Sequence, residues 1–115
     1  MIKVYGISNC DTVKKARAWL DAQGRAHTFH DFKKQGVPTP QLAHWIGQVG
    51  WEKLVNRKGT TWRQLDPALQ AALTDEASAH ALMLQHASVI KRPVVEWSGG
   101  DVTVGFAADD WATRS

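Results

Sequence analysis

The residue best placed for chemistry is the single cysteine, Cys10, in the run Tyr5-Gly6-Ile7-Ser8-Asn9-Cys10-Asp11-Thr12-Val13-Lys14. A short apolar strand, Ile2 to Ile7, leads into it, and a helical pattern leads out. A thiol at such a junction sits at a helix N-terminus, where unpaired N–H groups and the positive end of the macrodipole favour an anion. The thiolate, which is the nucleophilic form, is then favoured below the free-cysteine value of about 8.5. Lys14, one turn on, adds a cation, whereas Asp11 opposes ionisation. A lone cysteine elsewhere in a chain would read as a small buried hydrophobe. The C-terminal end of a first strand is instead where open α/β sheets place their chemistry, and Cys10 is read as reactive.

Two further stretches carry cations that such a thiol can use. Asn56-Arg57-Lys58-Gly59-Thr60-Thr61-Trp62-Arg63 sets three cations around a glycine and two hydroxyls, either as a solvated loop or as a cradle for an oxyanion. The spacing is not that of a phosphate-binding P-loop. Lys91-Arg92-Pro93 stands at the mouth of a later strand, where a proline costs no ladder bond. A cis peptide at Pro93 would hold Arg92 beside Cys10; a trans-proline would leave two solvated cations. The five histidines show no ligand spacing, and no metal site is expected.

The elements that must position these residues follow from periodicity. Val13, Ala16 and Leu20 make one apolar stripe of a helix from Asp11 to about Gln23, stopped by Gly24. His27 to Phe32 has strand composition, and strand, helix and strand with short connections form a parallel βαβ unit. Lys33 to Gly36 reads as a turn or loop. Thr39 is read as an N-cap with Pro40 at the first helical position, and Leu42, Trp45, Ile46 and Val49 continue that helix. A short helix at Trp51 to Val55, a loop at 56–61, a turn at Trp62 to Leu65, a short helix after Asp66-Pro67 and a helix after Thr74-Asp75-Glu76 complete a helical insertion over about residues 39–86. Arg92 to Trp97 and Val102 to Phe106 flank Ser98-Gly99-Gly100-Asp101 as a hairpin, and Ala108 to Arg114 reads as a closing helix. The expected fold is α/β and thioredoxin-like, a small mixed four-stranded sheet with this helical insertion. Trp45, Trp51 and Trp62 are expected to close the insertion over the sheet, with one near residues 57–63 available to floor a ligand groove.

Composition bounds the function. At 115 residues the chain is read as one domain, residues 1–115, and 43% apolar with 22% charged residues excludes a disordered chain. The net charge of +3 is spread along the sequence, which suits a small anion rather than nucleic acid. No run approaches the roughly 18 apolar residues of a membrane span, and no signal peptide is read at Met1-Ile2-Lys3, so a cytoplasmic, monomeric protein is expected. One cysteine admits no internal disulfide, so a catalytic thiol needs a second thiol from outside, and glutathione or another protein is the expected source.

Gly6 to Ala16, Asn56 to Arg63, Ala81-Leu82-Met83 and Ile90-Lys91-Arg92-Pro93-Val94 together resemble the arsenate-reductase-like (ArsC) family, in particular its Spx/YffB-type branch. The resemblance runs over nearly the whole chain in order. It implies the thioredoxin-like fold with a helical insert, Cys10 as nucleophile and glutathione as thiol partner. It further implies three arginines around an oxyanion in the glutaredoxin-coupled arsenate reductases: Arg92 matches one and Arg57 or Arg63 another, while the third falls at Val104-Gly105-Phe106. The family's histidine four before the cysteine is Gly6 here, and its arginine four after is Lys14. These departures weigh against arsenate chemistry and leave thiol exchange intact. Val13 stands where Spx-type regulators carry the second cysteine of a C-x-x-C switch, which excludes that switch.

The expected function is thus a glutathione-dependent thiol reductase acting through a mixed disulfide at Cys10. Asn9 and Thr12 would donate to the sulfur, Lys14, Arg57, Arg63, Lys91 and Arg92 would hold the anionic groups of glutathione or substrate, and a cis Pro93 would lie against the sulfur in the substrate- and glutathione-binding site. Glutaredoxin or an oxidised protein are the candidate macromolecular partners. The rival readings are a glutaredoxin-coupled arsenate reductase and a non-catalytic regulator that docks on RNA polymerase.

Overall fold

A computed structural model describes all of residues 1–115. The chain divides into a sheet unit, Met1–Gln35 with Arg92–Ser115, and a helical unit, Gly36–Lys91.

In the sheet unit, β1 (Ile2–Gly6) leads into α1 (Asp11–Ala22), β2 (His27–Asp31) and α2 (Phe32–Gln35); β3 (Val94–Glu96), β4 (Val102–Val104) and α8 (Ala108–Trp111) follow the helical unit, whose α3–α7 are described below. The strand order is β2-β1-β3-β4. β1 pairs parallel with β2, from Ile2 opposite His27 to Gly6 opposite Asp31, and antiparallel with β3, Val4 facing Val95. β3 and β4 form the expected antiparallel hairpin. The mixed four-stranded sheet of a thioredoxin-like fold is therefore present. α1 buries Val13, Ala16 and Leu20, a stripe at spacings of three and four. Gly24 stops it at φ +66, a conformation open to glycine at no steric cost. Ile2, Val4, Ala16, Leu20, Val95, Trp97 and Trp111 form the core here, with Trp19, Phe29 and Phe106 packed on its edge. Trp111 meets Trp97 edge-on at 5.1 Å and Phe106 at 4.8 Å, so a four-residue helix is anchored by aromatic packing rather than by its own length. Arg25 ties down the same end, donating to the carbonyls of Trp111 at 3.0 Å and Arg114 at 2.7 Å.

Two boundaries in this unit differ from the sequence reading. Strand β2 ends at Asp31, one residue early, and Phe32–Gln35 forms a single helical turn where the sequence reads as a turn or loop from Lys33. The Asp31 carboxylate accepts the Lys33 N–H at 2.9 Å while the Gln35 side-chain carbonyl accepts the Asp31 N–H at 3.0 Å, so two side chains close a turn too short to show periodicity. The last helix stops at Trp111, short of Arg114.

The helical unit runs α3 (Thr39–Val49), α4 (Trp51–Leu54), α5 (Thr60–Gln64), α6 (Pro67–Ala71), α7 (Glu76–Gln85) and a 3-10 turn, Ala87–Val89. Leu42, Trp45 and Ile46 of α3 and Ala79, Leu82 and Met83 of α7 are buried, as are Leu54, Leu73, Val89 and Ile90. Asp66 caps α6 through the Ala68 N–H, and Asp75 and Ser78 form a reciprocal capping box on α7. Pro38, not Thr39, is the N-cap of α3, so Thr39 and Pro40 already lie within the helix. The stretch read as loop and turn after Asn56 instead contains α5. Val55 bridges Ile90, and the N–H groups of Asn56 and Lys91 donate to the carbonyls of Val89 at 2.8 Å and Leu54 at 2.7 Å, which ties the start of the 56–59 loop to the end of the unit.

Candidate active site

Cys10 is presented by a turn and a helix start. Its N–H donates to the Ile7 carbonyl at 3.1 Å, closing a turn over Ser8 and Asn9, and its own carbonyl accepts the Lys14 N–H at 3.0 Å, the first bond of α1. Cys10 is thus the N-cap of a twelve-residue helix, with extended backbone at φ −81 and ψ 125. Oxygen-bearing caps close a tight bond to the N2 or N3 amide. Sulfur is a larger and weaker acceptor, and no closed capping bond forms. Even so, the N–H groups of Val13 and Thr12 donate toward it, and the Arg92 guanidinium hydrogen-bonds it.

The electrostatic outcome is a depressed thiol pKa. Burial pushes the Cys10 thiol up and is the largest single influence. The Val13 N–H, the hydrogen bond and charge of Arg92 and the Thr12 N–H together outweigh it, and the net shift is downward. Cys10 is half-buried, so the sulfur remains open to a partner.

Arg92 enters this arrangement from the second residue before β3. The Arg92–Pro93 peptide bond is cis, one of the two alternatives open in the sequence, and Pro93 is buried. Gly6 lies beneath: a Cβ there would stand 2.8 Å from Val13 Cγ2 and 3.8 Å from Arg92 Cβ. The absent side chain lets the first turn of α1 settle against the end of β1 beside Arg92.

The sheet unit therefore brings together Cys10, Thr12 and Arg92, with Thr12 acting through its backbone N–H, while Pro93 follows Arg92 in the cis peptide and is buried. Asn9 and Lys14 flank the thiol in sequence as exposed side chains. Arg57, Arg63 and Lys91 belong to the helical unit. There the Arg57 guanidinium lies 5.7 Å from the Trp51 ring centroid and 5.6 Å from that of Trp62, a cation held between two aromatic faces. Arg63 folds back on the same loop, donating to the Lys58 carbonyl at 2.7 Å, and the Asn56 side chain accepts the Lys58 N–H at 3.2 Å. Trp45 is buried, whereas Trp51 and Trp62 serve the arginine loop.

One residue at the site was missed from sequence. Asp31 is the only buried charged side chain, 5% exposed, and it accepts hydrogen bonds from Ser8 in the turn that carries Cys10. An aspartate ahead of Phe32-Lys33-Lys34-Gln35 is an N-cap pattern, but it was absorbed into a strand-like run.

The ArsC family model matches residues 5–113, nearly the whole chain. This protein belongs to the ArsC family. It is 41% identical over 106 residues to an uncharacterized protein of Haemophilus influenzae, covering 92% of this chain and 91% of that one. A solved YffB protein superposes with a TM-score of 0.91 at 47% identity, covering 97% of this chain and 96% of the other. An arsenate reductase (ArsC) related protein from Brucella melitensis gives a TM-score of 0.75 at 45% identity, covering 96% and 90%. Within this ArsC-family chain, the place where the resemblance sets a third arginine is apolar: Gly105 turns at φ +87 and Phe106 packs edge-on against Trp19 at 6.3 Å.

Proposed function

We propose that this chain is a thiol-disulfide reductase that uses Cys10 alone as nucleophile and glutathione as the second thiol. The observation that carries the reading is a lone cysteine at a helix N-terminus, with two backbone N–H groups and a guanidinium directed at its sulfur. The Cys10 thiolate attacks one sulfur of a disulfide R–S–S–R′, forming Cys10–S–S–R and releasing R′–S⁻, which takes a proton from solvent. A glutathione thiolate then attacks the R sulfur of the mixed disulfide, giving glutathione–S–S–R and restoring the Cys10 thiolate. When R is itself glutathionyl, the product is glutathione disulfide. The same contacts that stabilise the thiolate make Cys10 a good leaving group in the second step. Arg57, Arg63, Lys91 and Lys14 supply cations for the carboxylates of glutathione, and the cytoplasm, rich in reduced glutathione, is the fitting compartment.

The test is turnover of a glutathione mixed disulfide in the presence of reduced glutathione, with intact-mass detection of a Cys10 glutathione adduct. Cys10→Ser should abolish both. Wild-type turnover in that variant, or no adduct on the wild type, removes the proposal. Arsenate reduction with glutathione and glutaredoxin would shift the substrate class to the oxyanion. Co-purification of RNA polymerase with Cys10→Ser, in the absence of turnover by the wild type, would replace an enzyme by a binding module.

A further inference from the structure

The turn that carries Cys10 hangs on a buried carboxylate from another strand. Asp31 ends β2, opposite Gly6 in the parallel register, and is almost fully removed from solvent. A buried ionised carboxylate is tolerated when its lone pairs are filled. Here four donors fill them: burial pushes the Asp31 carboxyl up, but the Lys33 N–H, the Ser8 hydroxyl and N–H and the Lys34 N–H pull it below the ordinary carboxylate range. Two of these donors start α2. The other two come from Ser8, a central residue of the turn closed by the Cys10 N–H on the Ile7 carbonyl at 3.1 Å. Ser8 itself is exposed, so apolar packing does not hold it in place.

We propose that Asp31 is a positioning residue for Cys10: its carboxylate grips Ser8 and thereby holds the thiol at the start of α1 within reach of the Val13 and Thr12 amides and of Arg92. The inference rests on the reading of Cys10 as a reactive thiolate. Two effects of Asp31 on the thiol have opposite signs. As a nearby negative charge it would disfavour the thiolate, and its removal would lower the Cys10 midpoint. As the anchor of the turn it favours the thiolate, and its removal lets the sulfur drift from its donors, raising the midpoint. Arg92, the charged group at the sulfur, is unchanged in the variants below, as are Asp11 and Lys14, the charged neighbours of Cys10 on its own helix.

The experiment is the pH profile of iodoacetamide alkylation of Cys10, the only thiol, in wild type, Asp31→Ala, Asp31→Asn and Ser8→Ala, with a thermal melt of each. Asp31→Ala should move the midpoint up and slow alkylation below the wild-type midpoint on the order of tenfold, because the thiolate fraction there falls by a factor of ten when the midpoint rises by about one on the pH scale. Asp31→Asn keeps one acceptor oxygen and should fall between. Ser8→Ala removes one exposed hydroxyl, leaves the fold intact and should shift the same way by less, so it decides the matter if Asp31→Ala does not fold. A downward or absent shift in folded variants, against a depressed wild-type midpoint, overturns the positioning role alone. An ordinary midpoint in the wild type overturns both this role and the reductase reading.

Discussion

The Arg92 guanidinium hydrogen-bonds the Cys10 sulfur, joining the cis peptide ahead of β3 to the N-cap of α1. It acts twice, as a hydrogen-bond donor and as a charge, and both influences favour the thiolate. Arg92→Gln keeps a donor and loses the charge; Arg92→Ala loses both. The alkylation rate below the wild-type midpoint should therefore fall in the order wild type, Arg92→Gln, Arg92→Ala, the last on the order of tenfold slower, as expected for loss of an adjacent opposite charge. Equal rates in all three would remove Arg92 from the thiol's surroundings.

The same depressed thiol predicts a pH dependence of stability. Below its folded pKa the thiol is protonated in both states, and Cys10 contributes nothing. Between the folded value and the unfolded value of about 8.5, the unfolded chain binds the extra proton and stability rises with pH. That contribution is fully present above the unfolded value and is lost as pH falls through the folded one. Urea midpoints of wild type minus Cys10→Ser should grow across this window, and a flat difference would mean that the fold does not favour the thiolate. Tyr5 acts in a separate range: burial and its bond to Glu96 at 2.9 Å raise its phenol, so its contribution is present below about 10 and is lost at higher pH.

What the sequence revealed and what it hid divide by range and length. Helix α1 and the β3–β4 hairpin were legible because their signals are local: the Val13, Ala16 and Leu20 stripe, the stop at Gly24, and Ser98 to Asp101 between two apolar runs. The place of Cys10 at the start of α1 was legible for the same reason, since a strand-to-helix junction is written in neighbouring residues. The turns α2 and α5 were not, because four or five residues carry no period and are closed by particular side chains, Asp31 and Gln35 for the first. The N-cap of α3 slipped by one residue, as Thr39 and Pro38 are both compatible with a helix start. Asp31 was hidden because its partner Ser8 lies on the far side of a helix in sequence and meets it only through the parallel pairing of β1 and β2.

Gly6 makes a sharp packing prediction. Any Cβ at this position meets Val13 Cγ2 at 2.8 Å, and Val13 is a fully buried, β-branched residue with few rotamers to retreat into. Gly6→Ala should cost about 1–3 kcal/mol in urea unfolding, the usual range for overpacking. Val13→Ala should also destabilise, by opening a void. Combined, the two should cost less than the sum of the singles, because the new methyl enters the space that Val13 vacated. Strict additivity would show that the two positions do not share that space.

Arg57 is an exposed cation that lies beside two indole rings. The Trp51 and Trp62 ring centroids lie 5.7 and 5.6 Å from its guanidinium, contacts that restrict the side chain before any anion arrives. If the proposed reductase uses this loop to hold a glutathione carboxylate, Arg57→Ala should raise the KM for glutathione about tenfold, in line with one charge-assisted hydrogen bond. The value of kcat should change little, because the lost contact is made equally in the bound and reacting complexes. Arg57→Lys should not rescue, since an ammonium does not present a planar fork. Trp62→Ala should raise KM by a smaller factor, by freeing the guanidinium without removing it. Unchanged KM in both Arg57→Ala and Trp62→Ala would exclude the loop from glutathione binding and leave its aromatic clamp a purely structural feature of the helical unit.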